Sequence, residues 1–581
     1  MKRILIPCAW GAALSLSIPA QTTWHVAAEA TPPGTGTLAD PFPLIQDAIG
    51  AASGGDTVLV GPGTYLENLN LNGKAITVRS SAGAAATVVD GGGVFHVVSL
   101  FTGETAATTV QGFTLTNGSS IDGGGILCVQ SSPRILDCVI TGNVALNDGG
   151  GIHCFDASPL IEGCTVTGNS CGFQGGGISA VAGSQPTIRD CTVTGNSTAF
   201  GGGIASNLAA PAVVDCLIAD NDAGSDGGGI QALGGSPTVS RTTIAGNAAG
   251  FGAGLNAVSG TDVTLTDCVL RGNEAQFSGG GVSAGSSTVT LVNCVVAGNE
   301  AGGFGGGVYH TDTTATLLGC TVRGNVSGLP GGGLYAFDLP GAAVTNSIVW
   351  ANAPDQLAAG AGVGLAVTFS DVQGGFAGAG NLDADPLHAD PAGFDFHLLA
   401  GSPCLDAGTN GAPGLPATDF EGNPRVLGAA VDLGVDERAA PLPGTGEDLV
   451  LATTVDGAGE VAVLPAAAGS AVAVHLNSPG GTFVGALPVI GANLHPTGTP
   501  PVPTPFFAGS QLDLGGLLLL VNGSAPPPFF VAALPPGGLG TGFTVPAGLA
   551  GMSLRLQGVA AGPAAANGFI AATAAHELVI Q

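Results

Sequence analysis

Carboxylates are the most regularly placed reactive groups in this sequence. Asp137, Asp190, Asp215 and Asp267 each stand immediately before a cysteine, and Asp122, Asp148 and Asp226 each stand immediately before a glycine triplet. Paired carboxylates on neighbouring turns of a fold could cleave a glycoside by general acid–base chemistry or chelate calcium, with Asp137/Asp148 and Asp190/Asp215 as the pairs to consider. Gly163, Arg241 and Asn293 interrupt the first series, and a polar outward position beside a turn is the favoured reading of both. A base to abstract a proton is harder to find. Lys74 is isolated, and Arg134, Arg189, Arg241, Arg271 and Arg323 are scattered, some placed to pair with Asp190, Asp215 or Asp267 at the surface for little stability. His153 and His310 are about six repeats apart, roughly 29 Å at the spacing of stacked strands, and cannot share a site. No Cys-x-x-Cys pair suggests zinc, and no Gly-Gly-x-Gly-x-Asp nonapeptide is present. No catalytic, cofactor or metal residue is assigned on this basis, with Ca2+ left open as an ion.

The element that must carry these groups is a repeat. Asparagine recurs at Asn117, Asn143, Asn169, Asn196, Asn221, Asn247, Asn273, Asn299, Asn325 and Asn352, at intervals of 26, 26, 27, 25, 26, 26, 26, 26 and 27 residues. So constant a period is the mark of a solenoid. Ile188, Cys191, Val193 and Asn196 keep their spacing in unit after unit, and the two-residue step from Cys to Val puts both on one face of a strand. Three short strands and three turns fit in such a unit, whereas its glycines argue against a helix. Stacked coils bury one long core and line identical residues into ladders, and the Asn ladder can bond amide to amide from coil to coil. Cys138, Cys164, Cys191, Cys216, Cys268, Cys294 and Cys320 share one inward position, interrupted by Thr242, and read as small buried residues. Neighbouring coils also bring cysteines within disulfide range, so the pairing state stays open. An ice-binding array of Thr165/Thr167 and Thr192/Thr194 fails at Ala219 and Ala245.

This pattern resembles the right-handed parallel β-helix of the pectin-lyase-like superfamily over about residues 24–438. The Gly-Gly-Gly-Ile segments with a later Asn, as at Gly175–Ile178 before Asn196, also resemble the repeats of chlamydial polymorphic outer-membrane proteins, with Cys-x-Val-x-x-Asn in place of Phe-x-x-Asn. The resemblance implies an all-β fold: a right-handed parallel β-helix solenoid of about 26 residues per coil. It does not fix a function, since that superfamily holds lyases, hydrolases, adhesins and tailspikes.

Around the repeat the chain divides further. Residues 1–20, with Lys2, Arg3 and the apolar run Ile4–Ile18, read as a secretory signal. Residues 21–60 read as an N-terminal cap, with helical apolar spacing at Ile45, Ala48 and Ile49 and start signals at Asp40 and Pro41. The β-helix is assigned to 61–380. The closing segment 381–438 carries Phe394-Asp395-Phe396-His397-Leu398, Gly401-Ser402-Pro403-Cys404 and Asp419-Phe420-Glu421-Gly422-Asn423-Pro424-Arg425. It resembles the choice-of-anchor Q segment of exported bacterial proteins, which implies surface display. A Pro/Gly linker spans 439–447. Residues 448–581, rich in Ala, Pro and Gly with short alternating runs, read as a separate C-terminal β-sandwich-like domain, similar to modules of secreted planctomycete-type proteins.

Net charge is −29 with only 9% charged residues. Such a surface repels nucleic acid, anionic lipid and polygalacturonate. After the N-terminus no apolar run is long enough to form a transmembrane helix. The coil length leaves no long insertion to wall a pocket. The expectation is therefore an exported, cell-surface β-helix with an adhesive, structural or carbohydrate-contacting role, its partner a polysaccharide or a cell-surface protein. The alternative is a polysaccharide lyase or glycoside hydrolase whose site lies in the irregular ends, about 80–110 or 352–400.

Overall fold

The computed structural model describes residues 21–438 and, beyond them, ten strands between residues 450 and 580. The signal-like start and the 439–447 linker lie outside the described residues. Two units separate at Arg438/Ala439.

The first unit is a right-handed parallel β-solenoid. Each coil of the regular stretch lays down short strands, as in Thr187–Arg189, Thr192–Thr194, Ser197–Phe200 and Ile204–Asn207. Every strand pairs in parallel with its counterpart one coil on, so that Ile188 meets Val213, Val193 meets Ile218 and Ile204 meets Ile230. The resulting sheets hold 14, 13 and 12 strands. A coil holds one strand more than the three expected: the stretch after each Asn also pairs, in a nine-stranded sheet running from Ser119–Ser120 to Val326–Ser327. Alternation points Ile, Val and Leu of the three long sheets into one continuous core.

Backbone conformation explains the carboxylate series. The residue between the first and second strands is left-handed in coil after coil: Asp137, Gly163, Asp190, Asp215, Arg241, Asp267, Asn293, Gly319 and Asn346 all have φ between 45° and 64°. Asp, Asn and Gly tolerate that region best, and that preference accounts for the recurrence. The next residue faces inward and must satisfy a carbonyl turned in by the corner. Cys191 Sγ approaches the Arg189 carbonyl at 3.1 Å, and where cysteine is missing Thr242, Ser347 and Ser370 donate a hydroxyl to the equivalent carbonyl at 2.9–3.0 Å. The seven ladder cysteines are buried free thiols, and burial holds the Cys294 thiol well above its ordinary range. They are donors at a corner as well as small core residues.

The Asn ladder runs inside the second corner. Asn169 Nδ2 donates to Asn196 Oδ1 at 3.1 Å and to the Ile140 carbonyl at 2.8 Å, and the relay repeats from Asn143 to Asn352, where Gln356 Oε1 accepts the last amide at 2.9 Å. Asn117 is a correction to the expected set. It is exposed, has φ 57° and donates to Asp90 Oδ1. Gly118, one residue later, holds the ladder position, and its N–H donates to Asn143 Oδ1 at 2.8 Å. An interval of 26 residues in sequence therefore conceals a shift of one residue in register.

The N-terminal end is closed by the helix Ile45–Ala51, which buries Ile45, Ala48 and Ile49 as their spacing predicts. It starts later than Asp40 and Pro41 suggest. Its first amides, Ile45 N–H and Gln46 N–H, donate to the Glu67 carboxylate at 2.8 and 2.9 Å. Lys74 Nζ closes the other end, donating to the carbonyls of Ile49, Gly50 and Ala52 at 2.7–2.8 Å. A carboxylate at the start and an ammonium at the end both complement the helix dipole.

Residues 381–438 fold back over the later coils as a strap. Asn346 exchanges hydrogen bonds with the Thr409 backbone, Asn293 Nδ2 reaches the Thr418 carbonyl, and Phe396 and Val435 pack on Val295 and Ala297. In the second unit the ten strands form a three-stranded and a seven-stranded sheet. No helix among the described residues is long and apolar enough to cross a membrane.

Candidate functional site

The strands that open each coil's last sheet alternate inward and outward. Ile152 and Cys154 enter the core, so His153 and Phe155 point out. The glycine triplet just before them folds the chain sharply. Gly149 has φ 64°, and a Cβ on Gly151 would stand 2.5 Å from the Gly177 carbonyl of the next coil. That tight corner brings the residue ahead of the triplet beside the outward residue behind it. A cleft results between the short strands that follow the ladder Asn residues, in the nine-stranded sheet, and the outward face of the twelve-stranded sheet.

Two adjoining cavities of about 600 and 570 Å³ occupy this cleft and share Asp122, His153 and Phe155. Together they extend from Val94 to Leu208, roughly 20 Å at the spacing of stacked strands. Exposed apolar side chains rim it: Val94, Phe95, Ile121, Leu146, Phe155 and Phe173. Phe173 and Phe200, on consecutive coils, meet edge to face at 5.4 Å. Aromatic packing continues along later coils, with Phe251 on Phe277 at 5.0 Å and Phe304 on Tyr335 at 4.4 Å.

The floor is polar. Asp148 N–H donates to Asp122 Oδ1 at 3.2 Å, Gln174 Nε2 donates to Asp148 Oδ2 at 2.9 Å, and Asn207 Nδ2 reaches Gln174 Oε1 at 3.4 Å. Asp148 Oδ1 and His153 Nδ1 are buried without a partner in the protein. Burial pushes the Asp148 carboxyl above the usual carboxylate range, against the hydrogen bond from Gln174. Burial likewise lowers His153 and His96, and the nearby Asp122 and Asp148 charges only partly offset this for His153. Both imidazoles are therefore neutral near pH 7, and His96 Nδ1 lies 2.8 Å from the Gly123 carbonyl. The cleft offers carboxylate and imidazole groups without a fixed cation.

The structure assembles Asp122, Asp148 and His153, which the sequence presents separately. It does not assemble Asp137 with Asp148, which stand at different corners of one coil. Asp190 and Asp215 do stack on adjacent coils, but Asp215 is held bidentately by Arg241 at 2.7 and 2.8 Å, and Asp190 lies 3.5 Å from Arg189. Asp267 accepts from Asn293 Nδ2 at 3.0 Å. His310 points into the core, far along the solenoid from His153. Sequence reasoning missed His96 and the aromatic rim. The available signal for the rim was that Phe155 and Phe173 stand within a few residues of the glycine triplets at 149–151 and 175–177, beside Asp148 and His153.

The model of the right-handed β-helix region matches residues 98–270, 174–326 and 213–373. No curated protein matches the chain at a significant level. Solved structures of similar fold include the pectate lyase Pel9A, 12% identical, with 72% of this chain and 96% of that one covered and a TM-score of 0.33. XylC in complex with xylose is 10% identical, with 72% and 99% covered and a TM-score of 0.34. A rhamnogalacturonan lyase is 13% identical, with 56% and 87% covered and a TM-score of 0.26. At these scores the likenesses carry nothing about activity. Residues 98–373 of this chain form a right-handed β-helix region, in sequence match and in coordinates alike.

Proposed function

We propose that this is an exported surface protein whose cleft holds a segment of neutral polysaccharide without cleaving it. The carrying observation is the cleft between Val94 and Leu208, with exposed aromatic rings on its rim and unpartnered buried acceptors on its floor. Flat apolar faces suit the C–H faces of sugar rings, while Asp148 and His153 suit hydroxyl groups. The net charge of −29 disfavours a polyuronate. Lys2, Arg3 and the apolar run after them support export.

A second reading has its own observation. Asp148, its carboxyl raised by burial, stands beside Asp122 on the adjacent coil, a grouping that fits a glycoside hydrolase with Asp148 as general acid. One experiment separates the two. The purified chain is screened against neutral and acidic polysaccharides, with and without calcium, reading retention and product release together. Binding of a neutral polymer without products, weakened roughly tenfold by Phe173→Ala as an aromatic contact is lost, is the expected result. Product release abolished by Asp148→Asn would establish the hydrolase instead.

A further inference from the structure

The strap carries a second cluster of ligating groups, on the later coils and apart from the cleft. Its strand Asp395–Leu398 presents His397, the turn after Asp419 presents Glu421, and Asp436 follows from the chain's return. One ligand atom from each of His397, Glu421 and Asp436 lies within 4.8 Å of the others. His397 Nε2 is 2.8 Å from Glu421 Oε1, and on the opposite side of the ring Nδ1 contacts the Asp395 carboxylate. Asp436 is buried, and its Oδ2 accepts the Leu398 N–H at 3.1 Å. A cavity of about 270 Å³ lined by Val295, Phe394, Phe396, Phe420 and Val435 adjoins the cluster.

We propose that His397, Glu421 and Asp436 bind a divalent metal ion of the zinc class, which cross-links three parts of the strap. Three features of the site converge on it. An imidazole nitrogen and carboxylate oxygens are ligand types that such an ion takes, and three of them leave a fourth position open. Asp395 on Nδ1 fixes the tautomer that turns the Nε2 lone pair toward Glu421 and Asp436, the carboxylate–histidine–metal relay of metalloproteins. Three carboxylates surround one imidazole, and among the described residues none of them ion-pairs with Lys or Arg. A dication offsets that surplus of negative charge better than a single proton on His397. On binding, Nε2 gives its proton to solvent and donates its lone pair to the ion.

The test uses the full chain, stripped with chelator and titrated calorimetrically with ZnCl2 and separately with CaCl2. Wild type should take up one equivalent of zinc more than His397→Ala, and melt at a higher temperature with zinc than without, while the variant shows no such rise at matched zinc. Asp395→Asn should keep the stoichiometry and weaken affinity by roughly ten- to a hundredfold. Glu421→Gln, an exposed and nearly isosteric change, gives a folded variant with a ligand removed and should also lose the equivalent. Equal zinc uptake in wild type, His397→Ala and Glu421→Gln overturns the proposal, as does a site that calcium fills and zinc does not.

Discussion

Replacing Asn247 by alanine tests the reading of the ladder directly. Its side chain lies midway along the relay and is fully buried. Nδ2 donates to the Ile218 carbonyl and to Asn273 Oδ1, each at 3.0 Å, and Oδ1 accepts both the N–H and the Nδ2 of Asn221, each at 3.0 Å. Alanine removes all four bonds. It also leaves the Asn221 N–H without that acceptor, in a turn that is sealed from water. Four net bonds at about 1 kcal/mol each and one orphaned donor at about 1–3 kcal/mol amount to about 5–7 kcal/mol. The control is Asn117→Gly. That side chain is exposed, makes one bond to Asp90 and sits in a left-handed conformation that glycine tolerates, so the change should stay within about 0.5–1 kcal/mol. Denaturant unfolding followed by circular dichroism reads the difference. A chain of two units need not unfold in one step, so amide exchange at Asn221 supplies the local measure. Exchange there should accelerate in Asn247→Ala and stay unchanged in Asn117→Gly. A cost for Asn247→Ala below about 1 kcal/mol, or equal costs for the two variants, would refute the claim that the amide relay holds the coils together.

Other substitutions probe the cap, the core and the corner. Lys74→Met removes three carbonyl contacts at the helix end and should lower stability by about 2 kcal/mol, seen as a lower melting temperature. His310 is fully buried, opposite Ala284 and Ala336, and neither ring nitrogen makes a well-formed hydrogen bond, although the Thr313 backbone acts on it. Burial lowers its pKa, so the folded chain refuses a proton that the unfolded chain accepts, and stability falls as pH drops below the unfolded value of about 6.5. His310→Leu should therefore raise stability by roughly 1–2 kcal/mol and flatten the loss between pH 7 and 5, and a variant that keeps the wild-type acid slope would contradict this. Cys191→Ser should be tolerated, because a hydroxyl already makes the same corner bond at Thr242 and Ser347, whereas Cys191→Ala should cost about 1 kcal/mol more in thermal unfolding.

The solenoid was readable because its physics repeats. Inward Ile, Val and Leu, the Cys corner and the buried Asn each recur with the coil, and a recurring residue needs no structure to be noticed. Asn117 shows the limit. Its interval of 26 residues matches the ladder, yet the first regular coil is 25 residues from Gly118 to Asn143. The asparagine there is explained by a left-handed turn, which draws on the same residue type for a different reason. The Asp series before cysteine was ambiguous for the same cause. Aspartate at a left-handed corner and aspartate in a catalytic pair look alike until φ is known.

The cleft was hidden because it breaks the repeat chemically while keeping it geometrically. The position before the glycine triplet reads Asp122, Asp148, Gln174, Phe200, Asp226, Phe251, Ser278 and Phe304 in successive coils. Asp and Phe each recur three times, but neither holds the position through successive coils, so no unbroken ladder stands out, and constant coil length suggests a featureless wall. Yet the backbone delivers each of these side chains to the same line beside the outward face of the next strand. Where that line carries carboxylates opposite His153, and the rim carries Phe155 and Phe173, a site arises with no insertion at all. Farther along, the outward positions equivalent to His153 are held by Gln231 and Ser283, with no imidazole and no charge. In a uniform solenoid a local site is therefore marked by a change of residue identity along one ladder, and the coils from Val94 to Leu208 are where this ladder gathers its charge, its imidazoles and its exposed rings together.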